Sequence, residues 1–218
     1  MATRRGAALP DAPYRRQVFV NCPYDEAYLP LLRALVFTVH ACGFSARLAV
    51  EGENPGALRL QRILDLIRTC KLGIHDLSRV QLDAVGGLPR FNMPFECGVF
   101  VGAREFGRAT QRQKGFLLLE ADDFRHQRTL SDAAGLDPKV HHNDPAELIA
   151  CVRTFLSGFI EPRPVGAAGL RALYARFEAE FPATAARLEH EPAELLRLDS
   201  FADWRWVAAD WLAGQASC

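Results

Sequence analysis

Gly115-Phe116-Leu117-Leu118-Leu119-Glu120 is a short apolar run without polar alternation. A strand of that kind is buried on both faces, which is the central position of a parallel sheet covered by helices on each side. Upstream, Gln17-Val18-Phe19-Val20-Asn21, the segment from Phe44 to Val50, and Lys71-Leu72-Gly73-Ile74-His75 read as further strands. Between the first two, Tyr28, Leu31, Leu32, Leu35, Val36 and Val39 fall at helical spacing and Cys42-Gly43 supplies the stop. A second helix is expected from about Ala57 to Cys70, burying Leu60, Ile63, Leu64, Ile67 and Cys70. Downstream, Val140-His141-His142 reads as a short edge strand. Asn143-Asp144-Pro145 then caps a helix whose core face is Leu148, Val152, Phe155, Leu156 and Phe159.

Alternating strands and helices require right-handed crossovers, so the expectation is an α/β, flavodoxin-like three-layer fold with a parallel sheet in the order 2-1-3-4-5. It occupies residues 17–160. Residues 1–16 mix Arg, Ala, Gly and Pro without periodicity and read as a flexible N-terminal arm. After Glu161-Pro162-Arg163-Pro164 the pattern becomes helical only, and residues 161–218 are expected to form a helical extension. Its stripes are Leu170, Leu173, Tyr174 and Phe177, then Phe201, Trp204, Trp206, Val207, Trp211 and Leu212, read as core packing against the main domain. Lys+Arg and Asp+Glu are both 26 in 218 residues, so no global field favours nucleic acid or an anionic membrane. The cysteines Cys22, Cys42, Cys70, Cys97, Cys151 and Cys218 show no metal or CxxC spacing. With no secretory segment and no apolar run of membrane length, a soluble cytoplasmic protein with free thiols is expected.

The helix after the third strand starts in Arg90-Phe91-Asn92-Met93-Pro94-Phe95-Glu96-Cys97-Gly98-Val99-Phe100-Val101-Gly102. Asn92 is a natural N-cap and Pro94 suits a first turn, which places the start at Met93 or Pro94. Phe95, Gly98, Val99 and Gly102 recur at three and four residues and predict the face that lies on the sheet. Glu96 falls in the first turn. There the helix dipole favours its charge, while lost hydration among Phe91, Phe95 and Phe100 opposes it. By local features alone Glu96 is either an ordinary first-turn acid or a reactive carboxyl.

Ligands of open parallel sheets bind outside the carboxyl ends of the strands. Those ends here are Asn21-Cys22-Pro23-Tyr24-Asp25, the loop from Glu51 to Gly56, and Asp76-Leu77-Ser78, followed by Glu96. Neither GxGxxG nor GxxxxGK[ST] occurs, which disfavours a Rossmann dehydrogenase or a P-loop enzyme. Each rim residue also has a plain structural reading: Asp25 as a helix cap, Asp76 and Ser78 as strand-end turn residues, His75 as a strand histidine. Cys97 points about 100° away from Glu96 around the helix and reads as a buried thiol. His141, His142 and Asp144 lack a third spaced ligand, so no metal is expected.

Taken in order, Val18 to Asp25, Asn54-Pro55-Gly56 before a helix, the Ile74 to Ser78 strand end, and Asn92-Met93-Pro94-Phe95-Glu96-Cys97-Gly98 resemble bacterial TIR-like domains and the related nucleoside 2-deoxyribosyltransferases. The resemblance covers about the first 160 residues. The Trp-Cys pair that often precedes the glutamate in TIR domains is replaced here by Met93-Pro94-Phe95. The resemblance implies that Glu96 is the catalytic carboxylate and that Cys22, Tyr24, Asp25, Asp76, Ser78, Phe91 and Asn92 hold substrate. It implies cleavage of the nicotinamide–ribose bond of NAD, as hydrolase or cyclase, with NAD as substrate rather than cofactor. It further implies a place in antiphage defence and activity in a self-associated state or with a defence-system partner, in which the loop from Glu51 to Gly56 takes part. Base exchange between deoxynucleosides, or a non-catalytic nucleotide-sensing module, are the alternatives.

Overall fold

The computed structural model describes residues 13–50, 58–79, 91–122 and 137–215. The first twelve residues of the expected arm, the loop from Glu51 to Gly56, and Cys218 lie outside the described residues.

Strands β1 (Gln17–Asn21), β2 (Ser45–Leu48), β3 (Leu72–Asp76), β4 (Gly115–Glu120) and β5 (Lys139–Val140) form one sheet in the order β2-β1-β3-β4-β5. Every pairing is parallel, with Val18 between Ala46 and Leu72 and Ile74 beside Leu117. This is the expected order. β1 and β3 are buried along their whole length, the pattern of strands covered on both faces.

Side chains alternate across the sheet with period two. Val18, Val20, Leu72, Ile74, Leu117 and Leu119 join the core under α1 (Leu29–Ala41). Phe19 faces the other side, under α2 (Arg59–Thr69) and α3 (Asn92–Phe106), where it meets Ile63, Leu66, Ile67 and Phe100. Gly73 is required on that side, because a Cβ there would lie 2.7 Å from His75 Nε2 and 2.9 Å from the Phe100 ring. The chain turns out of α1 at Gly43, with φ +78, a conformation that favours glycine.

The helix after β5, α4 (Pro145–Leu156), is capped as read: the Asp144 carboxylate accepts from Ala146 N at 2.8 Å, with Pro145 in the first turn. In α2 the expected core residue Leu60 is 48% exposed, and Leu66 takes the inward position beside Ile63 and Ile67. The larger correction concerns α3. Its buried residues are Met93, Glu96, Cys97 and Phe100, whereas Phe95 is 56% exposed and a Cβ on Gly98 or Gly102 would meet open space. The glycines therefore do not mark a close approach. Aromatic size misled the sequence reading, while Met93 and Phe100, seven residues apart, define the face that the sheet covers.

Helix α5 (Ala167–Arg187) packs on α1 and α4 and α7 (Phe201–Gln215) on α1, with the short α6 (Pro192–Leu195) packed against both, as a further layer. Phe37 of α1 stacks on Phe177 with centroids 5.1 Å apart and tilts against Tyr174 and Trp211, and Phe177 also meets Trp204 edge-on at 5.8 Å. The aromatic stripes are thus core, continuous with the residues beneath α1. Phe177→Ala would leave a hole in this stack and is expected to lower stability by about 3–5 kcal/mol. Urea unfolding followed by tryptophan fluorescence and by far-UV circular dichroism checks it; one shared transition is expected, because a single core joins both parts.

Candidate active site

Where β1 meets β3 in the middle of the sheet, the chain leaves β1 toward α1 on one face and β3 toward α3 on the other. That reversal opens a crevice outside the carboxyl ends of the strands. A cleft of about 300 Å³ lies there. Among the described residues, the end of β1 gives Val20, Asn21, Cys22 and Tyr24 to its walls, and the end of β2 gives Leu48, Ala49 and Val50. Arg59 comes from the start of α2, and Asn92, Met93 and Glu96 come from the first turns of α3.

Asn21 fixes the geometry of this cleft. Its Nδ2 donates to Met93 O at 2.8 Å and to His75 Nδ1 at 3.0 Å, which ties the first turn of α3 to the ends of β1 and β3. Accepting at Nδ1 leaves the His75 proton on Nε2, which sits unpartnered among Phe19, Phe100 and Phe116. Burial, with the nearby Lys114 charge, pushes the His75 pKa down to about 3. His75 is thus a neutral ring that orients Asn21, and the plain reading of it as a strand histidine holds. Lys114 is itself held, donating from Nζ to Ile67 O at 2.6 Å and to Cys70 O at the end of α2.

Glu96 is 6% exposed and lines the cleft. Burial raises its pKa from 4.5 to about 7, against the lowering pull of the Arg59 guanidinium. No described residue hydrogen-bonds to or pairs with its carboxyl. Cys22, beside it, has its thiol pushed well above the ordinary value, first by burial and then by the carboxylates of Asp76, Glu96 and Asp25. It is a neutral wall of the cleft rather than a nucleophile. Cys97 lies on the inward side of α3 with Leu77, Met93 and Leu118, and burial pushes its thiol up to about 12.

Of the residues expected to hold substrate, Cys22, Tyr24 and Asn92 join Glu96 around the cleft. Asn92 begins α3, with Phe91 in the N-cap position and Phe95 N donating to Phe91 O at 3.0 Å, so it is not the cap. Tyr24 donates its hydroxyl to Leu198 O at 3.0 Å and meets Phe201 edge-on, which docks the loop after β1 on the C-terminal helices. The remaining four do not line the cleft. Phe91 is 66% exposed. Asp25 accepts from Tyr28 N at 2.9 Å in the turn before α1 and lies 3.9 Å from Arg79, while Tyr28 holds the N-cap position of that helix.

Asp76 and Ser78 belong to a separate buried network. Asp76 follows Leu72 and Ile74 on the α1 face of β3, because side chains alternate, while Glu96 lies under the opposite layer. There the Asp76 carboxylate accepts from the Tyr28 hydroxyl, from His141 Nε2 at 3.0 Å and from Ser78 N at 2.9 Å. His141 Nδ1 accepts from Asn143 N at 3.1 Å, so its proton is on Nε2. That same nitrogen lies 3.1 Å from Ser78 Oγ. A hydrolytic triad uses the two ring nitrogens separately, one for each partner, so this serine, histidine and aspartate form a structural knot.

Arg59 is the cleft residue that local sequence does not reveal, and Asn21, named at the rim, shows its tying role only in the structure. Arg59 follows the segment expected as a loop, where a first-turn cation looks like ordinary surface charge, and Asn21 reads locally as the polar end of a strand. No group of three or more His, Cys, Asp or Glu side chains among the described residues could hold a metal ion. No described helix is long and apolar enough to cross a membrane. Comparison with protein-family models, characterised proteins and solved structures gives no match for this chain. The class that fold and cleft define is an α/β protein with a five-stranded parallel sheet and a cleft at its topological switch point.

Because Glu96 holds its proton more tightly folded than unfolded, the native state binds more protons across the interval from pH 4.5 to about 7. Stability should therefore fall as pH rises through that interval. Denaturant midpoints of the wild type and Glu96→Gln at pH 4.5, 6 and 8 check this. The variant should lose that component of the pH slope and be relatively more stable at pH 8.

Proposed function

We propose that the protein cleaves the N-glycosidic bond between nicotinamide and ribose in NAD or a related nucleotide, with Glu96 stabilising the reacting glycosyl centre. The observation that carries this is a desolvated carboxyl without a described partner, facing a cleft at the switch point of a parallel sheet. The resemblance of the segment around Glu96 to TIR-like domains supplies the reaction class.

Breaking the C1′–N bond sends its electron pair to the nicotinamide ring and leaves positive charge on C1′ and the ring oxygen. A fixed carboxylate in a water-poor cleft stabilises that charge more in the transition state than in the ground state. Water, or a hydroxyl of the substrate, then attacks C1′ and releases a proton. Nicotinamide is a cation before cleavage and leaves neutral, so the step needs no general acid, unlike the paired carboxylates of glycoside hydrolysis. A volume of about 300 Å³ is at the small end of ligand sites and suits a ribosyl group with its base, the rest of a dinucleotide lying at the mouth.

Glu96→Gln keeps the side-chain shape and removes the charge, so NAD turnover should fall by about two to four decades while the protein still folds. In the wild type, kcat/KM for NAD should rise with pH and level off above about 7 as Glu96 ionises. Released nicotinamide, followed by chromatography, reads both. Wild-type turnover in Glu96→Gln would remove this carboxyl from the reaction. Base exchange between deoxynucleosides without NAD loss would replace the proposal with a transferase, and binding without turnover would replace it with a sensor.

A further inference from the structure

The walls of the cleft carry opposite charges. Glu96, 6% exposed, faces it from α3. Arg59, the first residue of α2, faces it from the other side, and its guanidinium is the charge that opposes the desolvation of Glu96. That field only partly offsets the desolvation, and the carboxyl pKa is raised to about 7. No described residue hydrogen-bonds to or pairs with Arg59. Its neighbours on the same helix are occupied: Arg62 donates to Ala49 O at 3.3 Å and Arg68 pairs with Asp65 at 2.5 Å. No acid lies in the first turn of α2 and the side chain of Leu58 does not cap it, so the positive end of the helix adds to the charge of Arg59.

We propose that Arg59 is a specificity-determining residue that binds a phosphate of the substrate, so that the cleft selects nucleotides over nucleosides. The guanidinium presents a planar fork of donors that matches two phosphate oxygens. A ligand with a cationic glycosyl centre and a phosphate on the same ribose complements both walls at once: its cation meets Glu96 and its phosphate meets Arg59. The assignment of the glycosyl centre to Glu96 rests on the function proposed above. Phosphate recognition by Arg59 rests on the charge arrangement of the cleft.

Nicotinamide mononucleotide and nicotinamide riboside differ only by the phosphate, and calorimetric binding of each to the full chain carrying Glu96→Gln separates the contributions without turnover. Adding Arg59→Ala should weaken the mononucleotide about ten- to a hundredfold and leave the riboside within about twofold. Arg59→Lys should fall between. Arg68→Ala, which removes the same charge from the far end of α2, should change neither. In the Glu96-containing protein, Arg59→Ala should raise KM for NAD by a similar factor with little change in kcat. Equal weakening of both ligands, no weakening, an equal effect of Arg68→Ala, or no binding of the mononucleotide would each overturn the proposal. Phosphate-dependent binding through Arg59 in a protein that never cleaves NAD would uphold it while removing the proposed reaction. Unchanged KM in Arg59→Ala of a protein that does cleave NAD would remove the phosphate site alone.

Discussion

α1 is apolar on almost every side, and one packed layer cannot cover it. Leu32, Leu35, Val36 and Phe37 are all at most 1% exposed, although they point in different directions around the helix. The sheet buries one flank, α4 another, and the C-terminal helices the outer face through Phe37, Phe177 and Trp211. Removing any of these layers would return apolar area to water at roughly 25 cal/mol per Å². The arrangement of the C-terminal helices follows from that requirement.

The same packing reaches the cleft. Tyr24 leaves β1 at the cleft wall and is anchored to Leu198 and Phe201, so the outer helical layer holds one side of the candidate site in place. The other side is held by Asn21, which uses both amide hydrogens to join β1, β3 and α3. Glu96 sits three residues after Met93, whose carbonyl accepts one of those bonds. A carboxyl placed by such a bond stays in a desolvated position without an ion pair of its own, which keeps its proton affinity high and its charge available to a bound cation.

The two polar clusters at the carboxyl edge of the sheet illustrate how little separates a binding group from a structural one. Asp76 and Asn21 both end strands of the same sheet. Asp76 turns to the α1 face and is consumed by Tyr28, His141 and Ser78, while Asn21 turns to the α3 face beside the cleft. A one-residue change of register would exchange those faces.

Strand-helix alternation, the uninterrupted apolar strands and the Asp144-Pro145 cap determined the three-layer parallel fold and its order by themselves, because period, chirality and capping are local properties of the chain. They also placed Glu96 at the rim and marked the tryptophan-rich helices as core. What only the tertiary structure decided was which face each residue shows and which partner it finds. It turned Met93, Glu96 and Phe100 inward in place of Phe95 and the glycines, withdrew Asp76 and Ser78 into a knot, and brought Arg59 across from α2. Those outcomes depend on contacts between segments far apart in sequence, where burial and charge are set by neighbours that no local spacing names.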